Sequence, residues 1–176
     1  MRLFFALWPD AEIGARIAAV ADAAALASGS RRVPRENYHL TLAFVGEIEA
    51  SRAALLQQIG HEQRAAGFTV TLDAYEYWSD SKVLVAVARQ SPTGLIDLWS
   101  RLHEALSMLH RPPSHGALRP HVTLARKVAQ APVQQAMSPL LWRARHFSLV
   151  RSDTSGARSV YTVVDTWPLL DEMPTA

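Results

Sequence analysis

The chain contains no cysteine. That excludes disulfides, thiolate metal sites and a cysteine nucleophile, and it agrees with a reducing compartment. It lacks an excess of either charge: 18 Lys and Arg against 16 Asp and Glu leave a net charge of +2, so the protein is not a polycation that coats nucleic acid indiscriminately. Long hydrophobic runs are missing as well. The leading stretch Leu3 to Trp8 is too short to cross a bilayer and runs at once into Pro9-Asp10, unlike a secretory signal, so a cytoplasmic protein with no membrane association is expected. No Gly-rich phosphate loop followed by Lys is present, so ATP-driven ligation or phosphorylation has no support, and no acidic cluster suggests a metal site. With 176 residues and 49% hydrophobic side chains, the chain suits one domain, or two small lobes sharing a core.

What the sequence does contain is a short pattern used twice. Tyr38-His39-Leu40-Thr41-Leu42-Ala43-Phe44-Val45-Gly46 is echoed by Pro120-His121-Val122-Thr123-Leu124-Ala125-Arg126. Both read His-x-Thr-apolar and alternate polar with apolar residues, the period of a half-buried strand. On such a strand His39 and Thr41 share a face, as do His121 and Thr123, with the imidazole and hydroxyl of each pair roughly 6–7 Å apart. Two such strands facing each other across a groove would bring together two groups that titrate near neutrality and two hydroxyl donors, a set suited to a phosphate ester. Arginines gather around the motifs: Arg31, Arg32 and Arg35 precede the first, Arg119, Arg126 and Lys127 flank the second, and Arg143, Arg145, Arg151 and Arg158 crowd the C-terminal third. A local positive field would draw in a phosphate-bearing ligand.

The rest of the chain predicts an α+β fold. Arg2 to Trp8 reads as a buried strand, and Pro9-Asp10 starts a helix carrying Ile13, Ile17, Val20 and Ala24 on one stripe until Ser28-Gly29-Ser30 stops it. A basic loop from Arg31 to Asn37 leads into the first motif strand, which ends at Gly46. Ser51 is expected to cap a second helix with Leu55, Leu56 and Ile59 inward. Phe68 to about Trp78 reads as one strand, paired as a hairpin with Lys82 to Arg89 across a Ser79-Asp80-Ser81 turn. Ser91-Pro92 begins a helix that buries Leu95, Leu98, Trp99, Leu102, Leu106 and Leu109. A loop from Arg111 to Gly116 follows, then the second motif strand and a polar stretch containing Pro132 and Pro139. Two strands, Trp142 to Arg151 and Ser159 to Trp167, are joined by a turn at Ser152 to Gly156. His61, His103, His110, His115 and His146 fall outside any repeated pattern and are read as structural or solvent-facing.

The two motifs, the opening Arg2 to Leu7, Gly67 to Leu72 and the ending Tyr161 to Trp167 together resemble the two-histidine phosphoesterase superfamily, and within it the RNA 2′,3′-cyclic phosphodiesterases, also called 2′-5′ RNA ligases. The resemblance covers nearly the whole chain. It implies a single bilobal domain over residues 1–176, with two pseudo-symmetric lobes of antiparallel sheet flanked by helices around a central cleft. It implies His39 and His121 as the catalytic pair, Thr41 and Thr123 as phosphate ligands, and Arg126 as a further substrate-binding group. No cofactor or metal is called for, and a monomer is expected.

The implied substrate is RNA, or an oligonucleotide, with a 2′,3′-cyclic phosphate end, opened to a 2′-phosphate. An imidazole can act as acid or base near neutral pH, and the hydroxyls can hold charge on the non-bridging oxygens. His39 is taken as the acid on the ribose 3′ oxygen and His121 as the base on water. The alternatives are 2′-5′ phosphodiester cleavage or ligation at the same site, or a module that binds RNA ends without turnover. Strict alternation would turn Arg126 away from the site unless the strand ends or bulges there. On the same parity Phe44 is expected in the core, with Tyr38 also off the catalytic face. Tyr161 is a candidate to stack on a base, and Arg31, Arg32 and Arg35 to contact RNA phosphates.

Overall fold

The computed structural model describes residues 1–28, 30–109, 117–129, 137–156 and 159–170. Its centre is a mostly antiparallel sheet assembled from two copies of a strand-helix-strand unit. In the first copy β1 (Arg2–Leu7) leads into α1 (Ala11–Ser28), a two-residue strand β2 (Arg31–Arg32) and the motif strand β3 (Leu40–Glu47). In the second, β6 (Val83–Val87) leads through α3 (Thr93–Ser107) to the motif strand β7 (His121–Arg126). β1 pairs with β3 and β6 with β7, each antiparallel. The helices cross over: α1 packs against β7, and α3 packs against β3. Each half thus supplies the apolar floor beneath the other half's motif strand.

The remaining strands extend the sheet outward. β5 (Ala74–Trp78) lies beyond β6, while β9 (His146–Asp153) and β10 (Val160–Pro168) lie beyond β1, giving the order β10-β9-β1-β3-β7-β6-β5. The halves join where Leu40 of β3 sits opposite Val122 of β7. Further along β7 the same edge is taken by β2, with Arg31 opposite Arg126 and Arg32 opposite Ala125. The expected loop before the first motif is therefore partly a sheet strand.

Local chemistry accounts for the element ends. Asp10 Oδ1 accepts the Ile13 backbone N–H at 2.8 Å and caps α1. The second helix departs from expectation. A 3-10 turn at Ala50–Arg52 precedes α2 (Ala53–Glu62), and the Ser51 hydroxyl points to the Glu49 carboxylate, 3.5 Å away, rather than to a helix N–H. This turns Leu55 outward, 41% exposed, and leaves Leu56 and Ile59 to make the contact with the core. Gly60 of α2 lies against the indole of Trp167.

Two expected long strands are each bent into two. Phe68 to Trp78 divides at Asp73 into β4 (Phe68–Leu72) and β5, and Trp142 to Arg151 divides at Arg145 into β8 (Leu140–Ala144) and β9. β4 and β8 pair with each other as a separate two-stranded sheet. The corners are fixed by hydrogen bonds: the Asp73 N–H donates to the Val87 carbonyl at 2.9 Å, and the Arg145 carbonyl accepts the Leu169 N–H at 2.8 Å. The main core is enclosed between one face of the large sheet, the three helices and this small sheet. It includes Phe5, Leu40, Val122, Leu95, Leu98, Phe147 and Trp142, all buried. The opposite face of the large sheet carries the motif polar residues.

Candidate active site

The motif strands do not oppose each other across a groove. They are neighbours in one sheet, and the antiparallel register through Leu40 and Val122 sets His39 beside Thr123 and Thr41 beside His121. Each histidine is thereby paired with the threonine of the other motif, and the four side chains form a two-fold pattern on the exposed face of the sheet.

The rings are held alike. Nδ1 of His39 donates to the Asn37 carbonyl at 2.7 Å, and Nδ1 of His121 donates to the Arg119 carbonyl at 2.8 Å. A carbonyl can only accept, so Nδ1 carries the hydrogen and Nε2 of each ring is left for proton exchange. An indole lies on each: Trp8 stacks on His39 with centroids 5.3 Å apart and planes 4° from parallel, and Trp78 sits 4.5 Å from His121.

Beyond this the surroundings differ. His39 is also packed by Phe4 at 5.1 Å and by the edge of Tyr161 at 5.1 Å. This aromatic enclosure desolvates the ring and, helped by the nearby charges of His121 and Arg126, drives its pKa down to about 4 against the pull of the Asn37 hydrogen bond. His121 is lowered too, mainly by burial and also by the Arg119 cation. The Arg119 carbonyl and the Glu76 carboxylate act in the opposite direction.

Bulges settle the parity of the later motif residues. Opposite β1 the register slips at Leu42, so that Ala6 faces Thr41 while Phe5 faces Ala43. Opposite β6 it slips at Leu124, so that Val85 faces Thr123 while Leu84 faces Ala125. One extra residue after each threonine turns Phe44 and Arg126 back to the histidine face. The Leu124 bulge is stabilised by its carbonyl, which accepts the Val33 N–H at 2.9 Å. Phe44 is therefore not in the core as expected. It is 48% exposed, lies 5.6 Å from the Phe4 ring and lines the cleft.

Two cavities of about 230 Å³ each open beside the histidines. One holds His39, Thr123 and Arg126 together with Arg31, Arg32, Lys127 and Tyr161. The other holds His121, Thr41 and Phe44 together with Trp99, His103, Leu118 and Arg119. Of the anticipated phosphate contacts, Arg31 and Arg32 reach the first cavity, where Arg32 is paired with Asp22. Arg35 does not: its guanidinium donates to the Ala11 carbonyl and lines a separate depression near Trp8. Tyr38 is buried in the core. His61 is exposed, and His146 pairs within the sheet opposite Pro168. His103 borders the second cavity with Nε2 3.1 Å from the Leu42 carbonyl, while His110 and His115 lie outside the described residues. Trp8, Trp78 and Glu76 are not marked by spacing, since they reach the site from neighbouring strands and loops, whereas Arg119 is one of the basic residues that flank the second motif. Among the described residues no three His, Asp or Glu side chains converge to hold a metal ion.

The fold and the paired histidines define an α+β protein with a duplicated His-x-Thr site on one sheet. Sequence comparison takes this further: the 2′-5′ RNA ligase superfamily profile matches residues 9–156, and the chain belongs to that superfamily. The RNA 2′,3′-cyclic phosphodiesterase of Escherichia coli K12 is 34% identical over 96% of each chain. The enzyme of the same name from Thermus thermophilus is 29% identical over 98% of this chain and 92% of its own. The crystal structure of E. coli LigT complexed with 3′-AMP superposes with a TM-score of 0.81 at 32% identity, covering 96% of this chain and 98% of the other.

Proposed function

We propose that the protein is an RNA 2′,3′-cyclic phosphodiesterase that opens the cyclic phosphate at an RNA or nucleotide end to a 2′-phosphate, with His39 and His121 as the proton-transfer pair. The observation that carries this reading is the exchanged pairing of each histidine with the other motif's threonine. It supplies two Nε2 atoms and two hydroxyls around a position one phosphoryl group could occupy. The names of the relatives, and the 3′-AMP bound by E. coli LigT, support the same chemistry.

In the reaction, water attacks phosphorus in line with the 3′ oxygen. One histidine removes a proton from the water, the P–O3′ bond breaks, and the other histidine delivers a proton to O3′. Thr41 and Thr123 donate to the non-bridging oxygens as charge builds there, and Arg126 adds positive charge on the His39 side. The surroundings favour His39 as the neutral base and His121 as the protonated acid, the reverse of the sequence-based assignment. In a coupled pair the first proton goes to the ring that is less penalised, and His39 is the ring enclosed by aromatics and lowered to about 4.

Both halves of the site come from one chain, so the reading needs no second copy: residues 1–176 act as one monomeric unit on RNA ends in the cytoplasm. Among the described residues no helix is long and apolar enough to cross a membrane. The cavity of about 230 Å³ beside His121, lined by Phe44 and Trp99, is where a second nucleoside would sit in the alternative reaction, cleavage or formation of a 2′-5′ linkage. The test is incubation with 2′,3′-cyclic AMP and a short cyclic-ended RNA in chelator, with chromatographic identification of the product. A 2′-monophosphate is expected; binding without turnover would make the protein an RNA-end binding module instead.

A further inference from the structure

The two histidines are near-equivalent in backbone setting, yet one acidic side chain breaks their symmetry. Glu76 lies on β5, two strands away from β7 and its junction with β3. Its Oε2 accepts the indole N–H of Trp78 at 2.8 Å and also accepts from the guanidinium of Arg119. Trp78 is the ring packed on His121, and Arg119 is the residue whose carbonyl holds His121 Nδ1. The Arg119 guanidinium lies over the Trp78 ring, 4.9 Å from its centroid. One carboxylate thus ties together the two groups that fix the second imidazole. Among the described residues the His39 cage has no counterpart: it is formed by Trp8, Phe4 and Tyr161.

We infer that Glu76 is a positioning residue for His121: it clamps Trp78 and Arg119 around the ring and offsets the arginine's positive charge, so that the two symmetry-related histidines take different proton-transfer roles. The ion pair is not a stability device, since Arg119 is 61% exposed and Glu76 38% exposed, and such a pair contributes little to folding. Its consequence is local. Among the described residues, the charged and titratable groups facing His121 are Arg119 from the preceding loop, Glu76 from β5, His39 beside β3 and His103 across the cavity on α3. Arg119 disfavours the imidazolium and Glu76 favours it. Removal of the carboxylate charge leaves the arginine unopposed beside the ring.

This inference rests on the proposed reaction, and the tests separate the two. Glu76→Gln keeps an acceptor for the Trp78 N–H while removing the charge, and Arg119→Gln removes the opposing cation. Histidine imidazole titration by NMR requires no turnover. His121 is expected to titrate lower in Glu76→Gln and higher in Arg119→Gln. In kcat/KM for 2′,3′-cyclic AMP, the basic limb of Glu76→Gln should move to lower pH. Activity above that limb should fall about threefold to tenfold, for a shift of about half to one unit, with the acidic limb unmoved. An unmoved His121 titration in both variants, or a loss of activity uniform across pH, would overturn the inference and leave Glu76 a packing residue. If the wild-type protein turns over no cyclic nucleotide while the His121 titration still shifts, the clamp stands and the proposed reaction fails.

Discussion

Leu40 lies opposite Val122, and this pairing sets the geometry of the site. Because the two strands are antiparallel, one step in either direction brings His39 beside Thr123 or Thr41 beside His121 on the opposite face. A shift of one residue in this register would turn one motif's histidine and threonine to the helix side and leave the other motif's pair without its partners. Leu40, Leu42, Val122 and Leu124, fully or almost fully buried, hold that register.

His39→Asn and His121→Asn should each lower kcat/KM for a 2′,3′-cyclic nucleotide by about 10²–10⁴-fold, the range for loss of a positioned acid or base. The wild-type profile follows from the two depressed pKa values. The base must be unprotonated, so activity falls as pH drops through the His39 value of about 4. The acid must be protonated, so activity falls as pH rises through the His121 value, which lies below 6.5. The cyclic phosphodiester keeps a single charge throughout. The optimum of kcat/KM is therefore expected on the acid side of neutrality, and each single variant should lose one limb: the acidic limb in His39→Asn, the basic limb in His121→Asn. A profile centred well above pH 7 would contradict this assignment.

Thr41→Val and Thr123→Val preserve shape while removing a donor. If the hydroxyls meet the non-bridging oxygens in the transition state, each variant should lose about 10–10³-fold in kcat with a smaller change in KM. The two-fold arrangement predicts losses of similar size. A change in KM alone would mean that the threonines bind ground state and transition state equally.

Gly60→Ala tests the packing that holds the C-terminal strand. A Cβ at this position would lie 2.3–2.6 Å from atoms of the Trp167 indole, closer than any unstrained contact. Trp167 is itself packed against Phe5 and Phe147, with centroids 6.1 Å and 5.2 Å away, so it has little freedom to retreat. The substitution should cost about 1–3 kcal/mol or more in urea unfolding. kcat should stay near wild type below the transition, because α2 does not touch the cleft.

The sequence pattern gives a clear view of some of this and none of the rest, for physical reasons. Period-two alternation is read directly off His39 to Leu42 and His121 to Leu124, so both motif strands and their polar faces were legible. A bulge inserts one residue without any mark in the pattern. Phe44 and Arg126 therefore sat on the wrong parity, although the shared Leu-Ala after each threonine is the common feature of both slips. The corners at Asp73 and Arg145 were hidden differently. Phe68, Val70, Leu72 and Ala74 are all buried and keep one parity straight through the bend, so the chain changes sheets without breaking its alternation. Trp8, Trp78 and Glu76 reach the histidines only through tertiary packing, which no spacing within a motif encodes.

The cavity beside His39 yields the last prediction. Arg31, Arg32, Arg126 and Lys127 all line it, on a chain whose net charge is only +2. Arg126 stands nearest the reaction, since its charge is felt at His39, whereas Arg31 reaches the same cavity from the adjoining strand β2. Arg126→Gln should impair even a mononucleotide, chiefly through kcat. If Arg31 and Lys127 meet phosphates upstream of the reacting end, Arg31→Gln and Lys127→Gln should leave 2′,3′-cyclic AMP turnover little changed and weaken an oligonucleotide several-fold in KM. Each neutralised phosphate contact releases counterions from the strand, so the slope of log affinity against log salt for a single-stranded RNA should become shallower by about 0.7 per contact removed. If the slope is unaltered in both variants, the RNA strand leaves the site by another route, and the cavity beside His121 becomes the place to look for its upstream nucleotides.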